Sequence, residues 1–286
     1  MDLSIVIVSW NVSQKLKENL KTLYAGQGDF SYEVFVVDNN SHDDTVNMIK
    51  KEFPQVKLIV NDRNLGFGKA NNQGIKQAQG NFILLLNPDM QVRSDTLQKM
   101  LEWMKSNSSA SLASCRLIDE QGEIIKHVRC FPALSDQLAI VLKLPHFFPK
   151  ILRNYIREDF DYNNAAIVDS VRGGFMLLSR EAIEKVGVFD ERYFVWFEEV
   201  DLCLRIKKAG GEVWYTPVAE CIDAIGQSFQ QVDTMTKQKY FRDSMLKYFK
   251  KWQPLWQYLI LWCAWWVGLL MSRVAVKNNL QSKAKT

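Results

Sequence analysis

The chain lacks the means for a disulfide framework or a cysteine-built zinc site. Its five cysteines (Cys115, Cys130, Cys203, Cys221 and Cys263) are odd in number, scattered, and nowhere spaced as Cys-x-x-Cys. Reduced thiols in a cytosolic setting are expected. An excess of one charge is also missing: 36 basic residues against 32 acidic ones leave +4, so the total does not imply nucleic acid as a partner. No signal peptide precedes the first apolar run, since Met1-Asp2 leads straight into Leu3–Val8, and the active part is expected to face the cytoplasm. Gly66-x-Gly68 lacks the third glycine of a dinucleotide fingerprint, and Gly68-Lys69 is not a P-loop. No basic triphosphate loop lies near Ser9, which tells against nucleotidyl transfer. What remains, 286 residues at 47% hydrophobic and 24% charged, is ordinary globular composition, enough for one sizeable core or a core plus an appendage.

The organising stretch is Asn81–Met90. Phe82 to Leu86 run apolar without alternation, as a strand buried on both faces of a parallel sheet does. Asn87-Pro88-Asp89 ends it, because proline cannot donate to a ladder. Ligands of open α/β sheets bind beyond the carboxyl ends of strands. There Asn87 and Asp89 offer hard oxygen ligands suited to Mg²⁺ or Mn²⁺ shared with a substrate phosphate. Taken alone, the motif also reads as an Asx-type turn.

Strands are expected at Leu3–Val8, Tyr32–Val37 and Val56–Val60 as well. Between them lie a helix capped by Ser13, one capped by Ser41 or Asp43, and one running from Gly66 through Ala78 to Gly80. This alternation predicts an α/β fold with a wound parallel sheet. Further on, a helix starts at Ser94-Asp95, and Leu112–Ile118 with Glu123–Val128 suggest a hairpin. Phe131–Asn164 reads either as a long loop with one helix over the core or as a basic, aromatic surface for lipid or acceptor. Val168–Leu178 is expected as a strand broken at Gly173-Gly174, where a backbone approaches something closely. Helices follow at Arg180–Val186 and through Leu202–Ala209, then a short strand at Glu212–Tyr215.

Asp38 ends the second strand as Asp89 ends the fourth, so both are expected on one rim. A carboxylate there can accept the imide N–H of uracil or thymine, while Asn64 and the small residues from Gly66 to Asn72 let a nucleotide approach. Glu198, Glu199 and Asp201 form a second acidic cluster. A helix start favours such charge by itself, yet a carboxylate against Phe194, Trp196 and Phe197 can also serve as a general base.

Taken in order, Val8–Asn11, Val36–Thr45, Asn64–Gly74, Leu84–Met90, Gly173–Arg180 and Val195–Pro217 resemble a family 2 glycosyltransferase with the GT-A fold. The sequence is most similar to the rhamnosyltransferase-like branch, where Asn-Pro-Asp stands in for Asp-x-Asp. The resemblance runs from about Leu3 to Ser228. It implies a three-layer, Rossmann-like fold with a mixed central sheet. It also implies inverting transfer from a nucleotide-sugar (a dTDP- or UDP-sugar, dTDP-rhamnose first) with Mg²⁺ or Mn²⁺ on the diphosphate. The acceptor would be a glycan or a polyprenyl-diphosphate-linked sugar. By position, Asp38 resembles the base-binding aspartate, Asp89 the metal ligand and Glu199 the catalytic base, with Glu198 and Asp201 as further catalytic candidates. Ser9, Asn11, Asn40, Asn64, Gly66, Lys69, Asn72, Asn87 and Gly174, all within or beside these motifs, are the nucleotide-sugar-binding candidates.

Two departures stand out. Glu199 replaces the usual aspartate, and Asp223 occupies the place of a histidine in Ala219–Ser228. Asp223 could ligate a hard cation but would repel a diphosphate. The alternative is therefore an inert GT-A domain that binds nucleotide-sugar or scaffolds a membrane complex.

Leu255 to Met271 is almost wholly apolar, with Trp256, Trp262, Trp265 and Trp266. At ~1.5 Å per residue it reaches roughly 25 Å, short of a ~30 Å hydrocarbon core. Basic residues flank both ends: Lys247, Lys250 and Lys251 before, and Arg273, Lys277, Lys283 and Lys285 after. A helix lying on the inner face of the membrane is expected, or one docked on the protein's own core or a dimer partner. The expected organisation is a GT-A domain over residues 1–235 and a membrane-associating helical segment over 236–286.

Overall fold

A computed structural model describes residues 1–26, 28–224 and 231–268. Ile225–Ser228 of the Ala219–Ser228 motif, and Leu269 onward with its four basic residues, lie outside them.

The first four strands, β1 (Leu3–Ser9), β2 (Tyr32–Asp38), β3 (Lys57–Val60) and β4 (Phe82–Leu86), pair in parallel in the order β3-β2-β1-β4. The helices between them are α1 (Ser13–Ala25), α2 (Thr45–Glu52) and α3 (Phe67–Gln77). Beyond β4 the sheet turns mixed. β5 is Met90–Val92, β6 Ala110–Ile118, β7 Val128–Arg129, β8 Ala166–Ile167, β9 Ser170–Val171, β10 Phe175–Ser179 and β11 Glu212–Asp223. β10 runs antiparallel to β4 and β6, β11 parallel to β6, and β5 antiparallel to β11.

Alternation along β1 sends Leu3, Ile5 and Ile7 to one face and Val6 and Val8 to the other. On the first face they meet α1, α2 and α4 (Thr96–Ser106); on the second, α3, α6 (Arg180–Val186) and α7 (Glu198–Lys208). This is the expected three-layer mixed α/β architecture. A third cluster joins α5 (Leu134–Val141), α8 (Thr234–Trp252) and helical residues 255–268 around Tyr193 and Phe197.

Several local expectations are corrected. Ser13 does not cap α1; its N–H donates to Asp43 Oδ2 at 2.8 Å. The hairpin after β6 shrinks to a single bridge, Ile118–Ile124, because β7 pairs with β9 instead. The strand at Glu212 runs on to Asp223, held by both β6 and β5. For the last helix one of the two expected arrangements is seen: its described part docks on the protein's own core through Leu261 and Trp265, while Trp256, Leu259, Trp262 and Trp266 stay exposed. Among the described residues no helix is long and apolar enough to cross a membrane.

Asp201 ties this third cluster down. Fully buried, it accepts from Arg205 Nε at 2.9 Å, Lys251 Nζ at 2.6 Å and Trp252 Nε1 at 2.7 Å. Removing the carboxylate takes away charged hydrogen bonds, though Lys251 keeps Asp190 and Arg205 keeps the carbonyls of Val186 and Val188, so Asp201→Ala should cost about 1.5–3 kcal/mol in urea unfolding. A loss under ~0.5 kcal/mol, the range of an ordinary surface change, would contradict this role.

Candidate active site

The turn after β4 is fixed from three sides. Asn19 sits at helical spacing among Leu16, Leu20 and Leu23 on the apolar face of α1. Its side-chain amide donates to the carbonyls of Asn87 at 3.1 Å and Met90 at 2.7 Å. The Asn87 N–H donates to the Gly174 carbonyl at 2.9 Å, and the Ala224 N–H to the Asp89 carbonyl at 3.2 Å. Asp89 is thereby held at the carboxyl end of β4 by α1, by the approach to β10 and by the end of β11.

Opposite, Trp196 and Phe197 take positive φ, 63° and 68°, just before α7. Such conformations cost roughly 1–3 kcal/mol each for non-glycine residues. Packing maintains them: Phe197 is buried against Tyr248 and Met245, and Ser244 Oγ donates to the Val195 carbonyl at 2.8 Å. The bend aims Glu198 and Glu199 inward from the first turn of α7. A third wall is the Asn64–Gly66 loop. Gly66 has φ 84°, where an added Cβ would collide with Phe194, and the Phe67 N–H donates to the Phe194 carbonyl at 2.7 Å.

These walls enclose a cavity of about 760 Å³ beyond the carboxyl ends of β1 and β4. It brings together seven of the predicted residues: Asn64, Gly66, Asn87, Asp89, Gly174, Glu198 and Glu199. Burial pushes the Glu198 carboxyl well above the usual range, and the neighbouring charge of Glu199 adds to it. Burial raises Glu199 to about 7, against the lowering effect of helix N–H groups and Arg172.

The other predicted residues stand elsewhere. Ser9 ends β1 between the cavity-lining Val8 and Trp10, and its register partner Asp38 lies one strand further out; both are buried, and among the described residues neither Asp38 Oδ1 nor Ser9 Oγ has a hydrogen-bond partner. The expectation that Asp38, Asp89 and Glu199 share one pocket thus holds for two of the three. Asn11 (φ 51°) accepts from the His42 N–H, and Asn40 (φ 64°) follows β2 in the left-handed region. Lys69 faces Glu191 at 3.8 Å on the surface. Asn72 is buried as a clamp on Phe189, accepting its N–H and donating to its carbonyl. Asp201 belongs to the ion-pair hub described above. Asp223, expected as a metal ligand, lies 3.0 Å from Arg172 Nη1.

Sequence reasoning missed Arg129, Arg172 and Trp10 on the cavity wall and Asn19 behind it. Two signals were present: a polar residue on the apolar stripe of α1, and a cation directly before Gly173-Gly174.

Among the described residues no three His, Cys, Asp or Glu side chains gather as a metal cluster. One carboxylate nonetheless suits Mg²⁺ or Mn²⁺, which commonly keep waters and share substrate phosphates. Asp89 in a cavity roomy enough for a diphosphate fits that pattern.

The mixed sheet with a cavity at its carboxyl rim has the GT-A architecture. The chain belongs to glycosyl transferase family 2, whose sequence profile matches residues 4–187. It is similar to rhamnosyltransferase WbbL of Escherichia coli K12, 29% identical over 229 residues, covering 76% of this chain and 81% of that protein. It also resembles the N-acetylglucosaminyl-diphospho-decaprenol L-rhamnosyltransferase of Mycobacterium tuberculosis, 28% identical over 233 residues and 77% and 75% of the two chains. Among solved structures, the mannosyltransferase PcManGT of Pyrobaculum calidifontis, in complex with GDP-Man and Mn²⁺, superposes with a TM-score of 0.59 at 17% identity. That match covers 99% of this chain and 79% of that one. TarS of S. aureus gives 0.55 at 16% identity over 87% of this chain, which spans 44% of TarS.

A carboxylate that acts as a base must be deprotonated, and burial raises the Glu199 carboxyl to about 7. Activity measured as kcat/KM should therefore rise with pH and level off above about 7, with an apparent value shared by the carboxylate pair. A profile flat from pH 5 to 8 would contradict this.

Proposed function

We propose that this cavity carries out inverting transfer of a sugar, rhamnose from dTDP-rhamnose, onto a lipid-linked or polysaccharide acceptor in cell-surface glycan synthesis. The observation that carries the reading is that Asp89 and Glu199, on elements far apart in sequence, line one cavity. The names of the two rhamnosyltransferase relatives support the choice of sugar, and that of the mycobacterial one a polyprenyl-diphosphate acceptor.

In this mechanism Glu199 takes the proton of the acceptor hydroxyl. The freed oxygen attacks the anomeric carbon from the face opposite the nucleoside diphosphate, and the bond to that leaving group breaks with inversion. The carboxyl of Glu198 beside Glu199 is pushed well above the usual range by burial and by its neighbour's charge. Asp89 would hold the divalent cation, which when bound neutralises charge developing on the departing diphosphate. The Asn64–Gly66 loop and Gly174 leave room for the donor. The exposed tryptophans of the last helix fit attachment to the inner face of the membrane, where a polyprenyl acceptor resides.

The test is transfer from dTDP-rhamnose to a prenyl-diphosphate-linked N-acetylglucosamine with Mg²⁺ or Mn²⁺ present. The wild type should form product with inverted anomeric configuration, and Glu199→Gln should lower turnover by about 10²–10⁴-fold. Retained configuration, or near-normal turnover in the variant, would refute the mechanism. Tight binding of nucleotide-sugars without transfer to any acceptor would favour the inert domain instead.

A further inference from the structure

Asp223 poses a problem that its surroundings resolve. A buried carboxylate close to the diphosphate of a donor would repel it, yet Asp223 is not an isolated charge. Its Oδ2 lies 3.0 Å from Arg172 Nη1, with Asp223 only 1% and Arg172 36% exposed. Arg172 lines the cavity. Its backbone is anchored by an N–H donated to the His127 carbonyl at 3.1 Å, at the end of the β7-β9 pair. The partner that orients the guanidinium is anchored as well. Asp223 pairs in register with Met90, and the next residue donates its N–H to the Asp89 carbonyl. Asp89, Asp223 and Arg172 thus belong to one rim.

We propose that Arg172, oriented by Asp223, is the cationic ligand for the diphosphate of the nucleotide-sugar donor. A guanidinium carries five N–H donors in a planar fork. The ion pair with Asp223 occupies one edge; the other donors can meet phosphate oxygens in the bidentate geometry arginine favours. Gly173 and Gly174 follow directly and put no side chain between the fork and the ligand. Arg129, from the paired strand, lines the same cavity and adds a second positive charge there. Asp223 is a positioning residue that acts through Arg172, and its negative charge is cancelled where the diphosphate lies. The assignment rests on the nucleotide-sugar reading above.

The test is calorimetric binding to the full chain in MgCl₂, with dTDP, UDP, dTMP, UMP and geranyl diphosphate as probes. Arg172→Ala should weaken the nucleoside diphosphate that the wild type prefers by about 10–100-fold, the scale of hydrogen bonds to a charged group. The monophosphates should change little, Arg172→Lys should recover part of the loss, and circular dichroism should match wild type. Asp223→Ala added to Arg172→Ala should cost nothing more. Four results would overturn the assignment: unchanged diphosphate binding in Arg172→Ala, an equal loss for monophosphates, a loss confined to geranyl diphosphate, or a further loss from Asp223→Ala. The last would mean that Asp223 contacts the ligand or its cation directly. Failure of the wild type to bind either nucleoside diphosphate would instead bring down the donor reading, and this assignment with it.

Discussion

The arrangement depends on a polar clamp around the turn that ends β4. Asn19, wholly buried in α1, spends its amide on the carbonyls of Asn87 and Met90. A polar side chain in an apolar face is costly unless hydrogen-bonded. Here the two bonds that satisfy its amide nitrogen, while its buried Oδ1 has no partner among the described residues, fix the turn bearing Asp89. Gly174 and Ala224 complete the clamp from β10 and β11, so one three-residue turn sets the relative positions of three parts of the sheet.

Across the cavity the constraint is of another kind. Glu198 and Glu199 are delivered by two residues in the left-handed region and sit at a helix start, Glu198 buried and Glu199 half-buried. Strain and desolvation both work against this, and the third hydrophobic cluster offsets them. α8 contributes Met245, Tyr248 and Phe249 to that cluster, and Lys251 to the Asp201 hub. The carboxylate pair therefore depends on a helix with no residue in the early motifs. This is a physical reason for the C-terminal part to stay docked on the catalytic half.

The parallel half of the sheet was legible because its strands are uninterrupted apolar runs and its helices carry regular apolar stripes. The rim was legible for the same reason: once β4 is placed, Asp89 must follow at its end. The β7-β9 pair was not, since two-residue strands show no period, and Arg129 and Arg172 went unnoticed with it. Asn72 and Asp201 looked like site residues because polar groups inside conspicuous motifs invite that reading. Their bonds to Phe189, Arg205, Lys251 and Trp252 are architectural, and spacing alone cannot distinguish a polar clamp from a ligand. The last helix carries apolar residues on all sides, so which side docks was decided by the shape of α5 and α8 rather than by its own pattern.

The central claim is that Asp89 and Glu199 work on one bound donor. It is tested most directly by a crystal structure of the full chain soaked with Mn²⁺ and a nucleoside diphosphate sugar, with the metal located by its anomalous scattering. The account predicts a manganese peak against the Asp89 carboxylate and the anomeric carbon between it and Glu199. A peak away from Asp89, or a donor whose sugar lies outside the cavity shared with Glu199, would contradict it.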